Sequence, residues 1–158
     1  MKKLLFLSVS ILLSAFMLIS CDNKEYVDLG LPSGTLWKVV NESDEDGFFP
    51  YDEAVSQFGS QLPTKEQWEE LKDYCEWTWR EPQGGYKVTG PNGKFIVLPA
   101  AGYRGCNGNV GSVGSSGNYK SSTPDDSDFA WVLYFDSGGV DMSENDRCGG
   151  ASVRLVQD

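Results

Sequence analysis

Histidine is absent from the 158-residue chain. Its absence removes Ser/His/Asp and Cys/His catalytic arrangements, histidine-containing zinc sites and any imidazole proton switch. Basic residues are scarce: 13 Lys and Arg stand against 23 Asp and Glu, a net charge of −10. A surface with that balance repels a phosphate backbone, so no nucleic-acid partner is expected. Cysteine occurs only four times, too few for a disulfide framework, and neither internal repeats nor heptads are present. What remains is enough for one globular domain, since 40% of the residues are hydrophobic and 13% aromatic.

The N-terminus reads as an address. Lys2 and Lys3 precede a run from Leu4 to Ile19 interrupted only by Ser8, Ser10 and Ser14. At 16 residues the run is shorter than the roughly 20 that cross a bilayer, and no stop-transfer cluster follows, which is the pattern of a signal peptide over 1–20. Leu18-Ile19-Ser20-Cys21 resembles the bacterial lipobox, which implies cleavage before Cys21 and a diacylglycerol on its thiol. Several acyl chains on one residue anchor stably without a transmembrane helix. The expected location is the cell envelope, lipid-anchored, with the outer membrane and its surface as the favoured site and the leaflet left open by Asp22 after Cys21. Removing Lys2 and Lys3 leaves eleven basic residues against 23 acids, or −12, on 138 residues.

Residues 21–25 form the lipidated N-terminus and a short tether, and 26–158 one domain. Tyr26 to Leu29 and Thr35 to Trp37 read as strands around a Leu31-Pro32-Ser33-Gly34 turn. Asn41 to Gly47 is an acidic loop, and Tyr51 to Phe58 a short helix with Ala54, Val55 and Phe58 on one side. Thr64 and Gln67 form a capping-box pair opening a helix from Lys65 to Trp79, with Trp68, Leu71 and Cys75 as its buried stripe. Cys75 serves as a small buried hydrophobe. Tyr86 to Thr89, a Gly90-Pro91-Asn92-Gly93 turn and Lys94 to Leu98 make a hairpin. Gly102 to Gly117, rich in glycine with Asn107 and Asn109, reads as a long irregular loop. Strands return over Ala130 to Phe135, Val140 to Met142 and Ala151 to Val156. This order predicts an α+β domain on a small, largely antiparallel sheet with one or two helices.

Four strings together resemble one family: Tyr26-Val27-Asp28-Leu29-Gly30-Leu31-Pro32-Ser33-Gly34-Thr35-Leu36-Trp37; Leu62-Pro63-Thr64 with Glu66 and Trp68; Leu98-Pro99-Ala100-Ala101-Gly102-Tyr103-Arg104; and Ser152-Val153-Arg154. They are similar to the paralogous domain of Fibrobacter and Bacteroides surface lipoproteins, related to the formylglycine-generating-enzyme branch of the C-type-lectin fold. The resemblance implies a C-type-lectin-like domain with a glycine-rich region draped over a small sheet. Departures are an acidic 38–61 in place of an aromatic, glycine-containing stretch, Lys120 where relatives carry Trp after the tyrosine, and Leu155 where they carry Pro.

The enzyme branch uses a cysteine pair near its C-terminus, whereas here Cys148 stands alone there and reads as unspecialised, so no enzyme activity is expected. Among the metal readings, Glu42, Asp44, Asp46 and Glu53 have the spacing of a calcium loop with Gly47 at its turn, although Pro50 and a preceding strand fit that motif poorly. No other cofactor is expected. Glu81-Pro82-Gln83 resembles a sugar-binding lectin string but lacks the companion Trp-Asn-Asp.

The expected ligand surface lies at 134–147. Strand alternation turns Trp131, Leu133 and Phe135 inward, with Val140 and Met142, and turns Tyr134, Asp136, Asp141 and Ser143 outward. With Asn145 and Arg147 this set resembles the ligand-facing surface of lectin-fold binding proteins, and Tyr and Arg are enriched at binding hot spots. The expected function is a non-catalytic, lipid-anchored module recognising a glycan or a protein. The alternative is a structural envelope lipoprotein with no soluble ligand.

Overall fold

The computed structural model describes residues 25–44 and 46–158. The expected signal peptide, the expected lipidation residue Cys21 and most of the expected tether lie outside the described residues. Among those described, no helix is long and apolar enough to cross a membrane.

The architecture is α+β. β1 (Tyr26–Asp28), β2 (Leu36–Lys38) and β11 (Val156–Gln157) form one sheet in the order β1-β2-β11. Two helices follow β2. α1 (Tyr51–Phe58) begins after Pro50, carries Asp52 and Glu53 at the positive end of its dipole, and stops at Gly59, whose φ of +53° favours glycine. α2 (Lys65–Tyr74) opens on the expected capping box: Thr64 Oγ1 accepts from Gln67 N and Gln67 Oε1 accepts from Thr64 N.

α2 ends at Tyr74, five residues before the predicted Trp79. Cys75 is already extended, and Glu76-Trp77-Thr78-Trp79 is a strand, β3 (Glu76–Trp79), in which aromatic and β-branched residues favour a pleated surface. It pairs with β4 (Gly85–Thr89), which forms the expected hairpin with β5 (Phe95–Pro99). Cys75 is half-buried, and burial pushes its thiol up to about 11.

Beyond β5 the predicted irregular loop contains a small hairpin, β6 (Tyr103–Arg104) with β7 (Val110–Gly111). A third sheet is made of β8 (Ser116–Pro124), β9 (Phe129–Asp136) and β10 (Gly139–Asp146), in the order β10-β9-β8. β8 went unread in the sequence because it is polar. Of the expected strand Ala151 to Val156, only Val156 enters β11. Its other residues are buried and change partners singly: Ala151 bridges to Phe49 and Ser152 to Tyr119.

A row of aromatic rings joins the layers. Trp37 meets Trp68 at 4.6 Å, Trp68 meets Tyr119 at 5.9 Å, Tyr119 meets Phe135 at 5.7 Å and Phe135 meets Tyr86 at 5.4 Å. Val140 and Met142 pack against this cluster, as alternation predicts. Trp131 does not join it. It is half-buried, with Lys65 Nζ 3.2 Å above its ring, because β9 runs past the core beneath the first turn of α2. A second cluster packs Phe49, Ala54, Leu62, Val153 and Leu155 beneath α1.

Arg154 is the central polar fastening. It is 1% exposed, and its guanidinium donates to Lys38 O (2.9 Å), Val97 O (2.7 Å) and Asn41 Oδ1 (2.9 and 2.6 Å), so that β2, β5 and the Asn41 loop converge on one group. Replacing it by lysine keeps the charge but not the planar fork of donors. We expect Arg154→Lys to lose more than about 3 kcal/mol in urea denaturation, while Arg80→Lys at an exposed site stays within about 0.5 kcal/mol. Equal losses in the two variants would contradict this assignment.

Candidate functional site

The β9–β10 hairpin carries the residues expected to bind ligand. Its turn is Ser137-Gly138, and Asp136 shapes it by accepting from Gly138 N at 2.7 Å through Oδ1. The other carboxylate oxygen accepts from Tyr134 Oη at 3.2 Å, so the two side chains hold each other on the outward face. Burial and the neighbouring Asp136 raise the Tyr134 phenol above its usual value. Tyr134 and Asp136 form one wall of a cleft of about 500 Å³, and Ser112, Ser115 and Ser116 form the other. Ser112 has a φ of +58°, and Ser115 Oγ donates to its carbonyl at 3.0 Å.

The six predicted residues do not share one site. Asp141 lies directly across from Tyr134 but turns to Lys72 at 3.2 Å, whose hydrogen bond lowers its carboxyl pKa. Ser143 and Asn145 lie opposite Val132 and Ala130, progressively farther from the turn. Arg147 follows the far end of β10, about 23 Å from the turn along the seven steps separating Phe129 from Asp136. There it works as a fastening: Nη2 donates to Asp52 Oδ1 at 2.6 Å, Nη1 to Asp126 O at 3.2 Å, and the guanidinium lies 4.5 Å from the Tyr51 ring centroid. It borders a separate cleft of about 820 Å³ with Asp52, Phe129 and Asp146. Strand alternation shows which side chains point outward, but not which end of a strand they occupy.

The calcium-loop residues are likewise divided. Asp44, Asp46 and Glu53 border one cleft with Phe48 and Arg104. Glu42 is drawn to Lys38 at 2.6 Å, and Asp46 accepts from Phe48 N at 3.0 Å and pairs with Arg104 at 2.7 Å. Those interactions, the Phe48 N–H first, lower the Asp46 carboxyl pKa. No group of three or more acidic or cysteine side chains poised to hold a metal is present among the described residues.

Two features were missed. Cys148 is not unspecialised: it forms a disulfide with Cys106, with Cα atoms 5.2 Å apart. The partners are 42 residues apart, and an odd count of three mature cysteines left the pairing open. The second is Lys120, wholly buried, with Nζ donating to Gly149 O at 2.8 Å and no carboxylate within ion-pairing distance among the described residues. The sequence signal was a departure, after Tyr119, from the pattern of the family that the four strings resemble.

Residues 86–156, somewhat less than half of the chain, match the family model of a domain of unknown function, DUF8237. This span includes the disulfide, Lys120, the β9–β10 hairpin and Arg154. No curated protein and no solved structure matches the chain.

Burial, with the nearby Arg104, lowers the Lys120 pKa to about 8 from an ordinary 10.5. Below pH 8 both folded and unfolded chains hold the proton and the folded state bears the full cost of burying it. Between about 8 and 10.5 the folded chain loses it first, so stability rises with pH by about 3 kcal/mol across that window. Thermal unfolding midpoints should therefore climb from pH 7.5 to 9.5 in the native chain and stay flatter in Lys120→Met. Parallel profiles would show that Lys120 does not set the slope.

Proposed function

We propose that this chain is a lipid-anchored envelope protein whose lectin-like domain binds a glycan, without catalysis, through the cleft between Tyr134, Asp136 and the Ser112–Ser116 turn. The observation that carries this reading is the Tyr134–Asp136 pair. A 37% exposed aromatic ring stands beside a carboxylate whose position is set by a backbone N–H and a phenol, facing a wall of serine side chains. A tyrosine supplies rigid amphipathic contact area for the C–H face of a sugar, and the carboxylate and hydroxyls supply the few placed polar groups that orient it. Asp136 is the single acid bordering this cleft, whereas a glycosidase works with two carboxyl groups flanking the bond it cuts.

The anchoring half of the reading rests on the Leu18-to-Cys21 string and the short tether. The lectin-like half rests on the four family-like strings, together with an α+β arrangement whose glycine-rich stretch starts beside β8, Gly102 bridging to Gly117, and runs into that strand at Ser116.

The test is a glycan array probed with the full chain purified in detergent, with calcium and with chelator. Binding to a defined glycan is expected, and Tyr134→Ala with Asp136→Ala should weaken it at least tenfold while the near-ultraviolet circular dichroism of the core aromatics is retained. Undiminished binding in that folded double variant would reject the cleft. Silence toward all glycans would reject the glycan reading and favour a structural role.

A further inference from the structure

We propose a second saccharide subsite, for a neutral glycan, in the cleft between the β6–β7 loop and the end of β10, formed by Tyr103, Asn107, Asn109 and Asp146 and held in shape by the Cys106–Cys148 disulfide. It extends the glycan reading above but stands on different residues.

The cleft measures about 490 Å³, within the ligand-sized range of about 300–1,000 Å³. Tyr103 is 42% exposed, and one face of its ring lies over Gly111, 3.4 Å from where a side chain there would begin. The tyrosine thus has backbone support on one side and solvent on the other. In the Tyr134 cleft, phenol and carboxylate satisfy each other. Here the Tyr103 hydroxyl, the Asn107 amide N–H₂, the Asn109 side chain and the Asp146 carboxylate hold no hydrogen bond or ion pair with other described residues.

The loop's own geometry is already secured by backbone. Asn107 Oδ1 accepts from Asn109 N at 3.0 Å and Asn109 O accepts from Gly105 N at 2.8 Å, so the outward donors and acceptors sit on a shaped turn. Amide groups beside one carboxylate present donors and acceptors in close pairs, which suits the adjacent hydroxyls of a sugar, with the ring taking its C–H face. A neutral sugar is favoured because Asp146 and a mature charge of −12 repel uronates and sulfated chains.

The two walls belong to distant parts of the chain. One is the 105–109 loop; the other is Asp146, two residues before Cys148. Arg104 and Gly150 exchange backbone hydrogen bonds at 2.9 and 2.7 Å, and the disulfide closes the span just beyond them. Both cysteines are exposed, so a dithiol can reach the bond. Reduction transfers two electrons and two protons from the dithiol, leaving the Cys106 and Cys148 thiols and the oxidised, cyclised reagent. The walls then lose their covalent tie, and with it the preorganisation that lowers the cost of binding.

The experiment titrates the full chain in detergent with cellohexaose, laminarihexaose, mannohexaose and xylohexaose by calorimetry. At least one should bind, Tyr103→Ala and Asn109→Ala should each weaken it about tenfold, and dithiothreitol or Cys106→Ser with Cys148→Ser should weaken it several-fold in a chain that keeps its core circular dichroism. Tyr134→Ala is measured separately. Loss in Tyr134→Ala with none in Tyr103→Ala would overturn the second subsite and leave the first standing, and the reverse would reject the first alone. Undiminished affinity after reduction would overturn the role of the disulfide, and failure to bind any of the four sugars would overturn the subsite itself.

Discussion

The structure depends on one buried cation that has to be satisfied without a carboxylate. Arg154 sits at the meeting point of the β1–β2–β11 sheet, the β3–β4–β5 sheet and the Asn41 loop, and its donors go to two backbone carbonyls and an amide oxygen. Burial lowers its pKa to about 10, against the raising influence of Tyr119. A guanidinium buried this way is costly unless every donor is paired, so the three elements can take only the relative positions that pair them. The C-terminal segment before β11 carries that constraint outward: Lys38 N donates to Leu155 O and Glu42 N donates to Val153 O, both at 2.9 Å. The Asn41 amide donates to Tyr119 Oη at 3.1 Å, and that phenol donates to Pro99 O at 2.9 Å. The polar network therefore ends on the same Tyr119 that stands in the aromatic row. Tyr119 is pushed up to about 12 by its burial, so it remains a neutral donor throughout the physiological range.

How far the sequence foretold this follows from which forces are local. Thr64 with Gln67 announced the start of α2, and Gly90 to Gly93 announced the β4–β5 turn, because caps and turns are settled within a few residues. The end of α2 was misplaced because the Trp68, Leu71, Cys75 spacing continues plausibly into Trp79, while the decision to become a strand is made by pairing with Val88 and Tyr86. β8 was invisible for a related reason. Ser116, Asn118 and Lys120 are buried polar residues that alternation cannot flag, and they are buried because β9 pairs along one side while Gly102 and Ser152 bridge to the other. Tyr134 and Asp136 were legible as an outward pair. Arg147 was legible as a binding hot-spot type, but its place at the opposite end of the hairpin depends on Asp52, 95 residues away in sequence.

Lys120 and Arg154 show one arrangement twice. In a chain with 23 acids, neither of these deeply buried cations is paired with one; each is held chiefly by carbonyl or amide oxygen. The described acids stay at least partly exposed, where water keeps their carboxylates solvated. The consequence differs between the two. Arg154 holds its charge and so fixes geometry at every pH of interest. Lys120, beside Arg104 and with a pKa of about 8, holds its charge conditionally.

That difference places the two cations in different roles relative to the clefts. Arg154 organises the centre of the domain and touches neither sugar-sized cleft. Lys120 lies beneath Gly149, between Cys148 and Gly150, in the very segment that the disulfide ties to the β6–β7 loop. Gly149 N in turn donates to Asp146 O at 3.0 Å, so one short stretch of backbone connects a buried ammonium, a disulfide and a cleft-lining carboxylate. Such a segment cannot shift at one point without disturbing the others. Its rigidity comes from two sources of different kind, a covalent tie on the solvent side and a charged hydrogen bond on the core side. Removing the tie alone leaves the segment held at its base by the Lys120 hydrogen bond, so reduction is expected to loosen the outer wall of the cleft while the sheet below it stays folded.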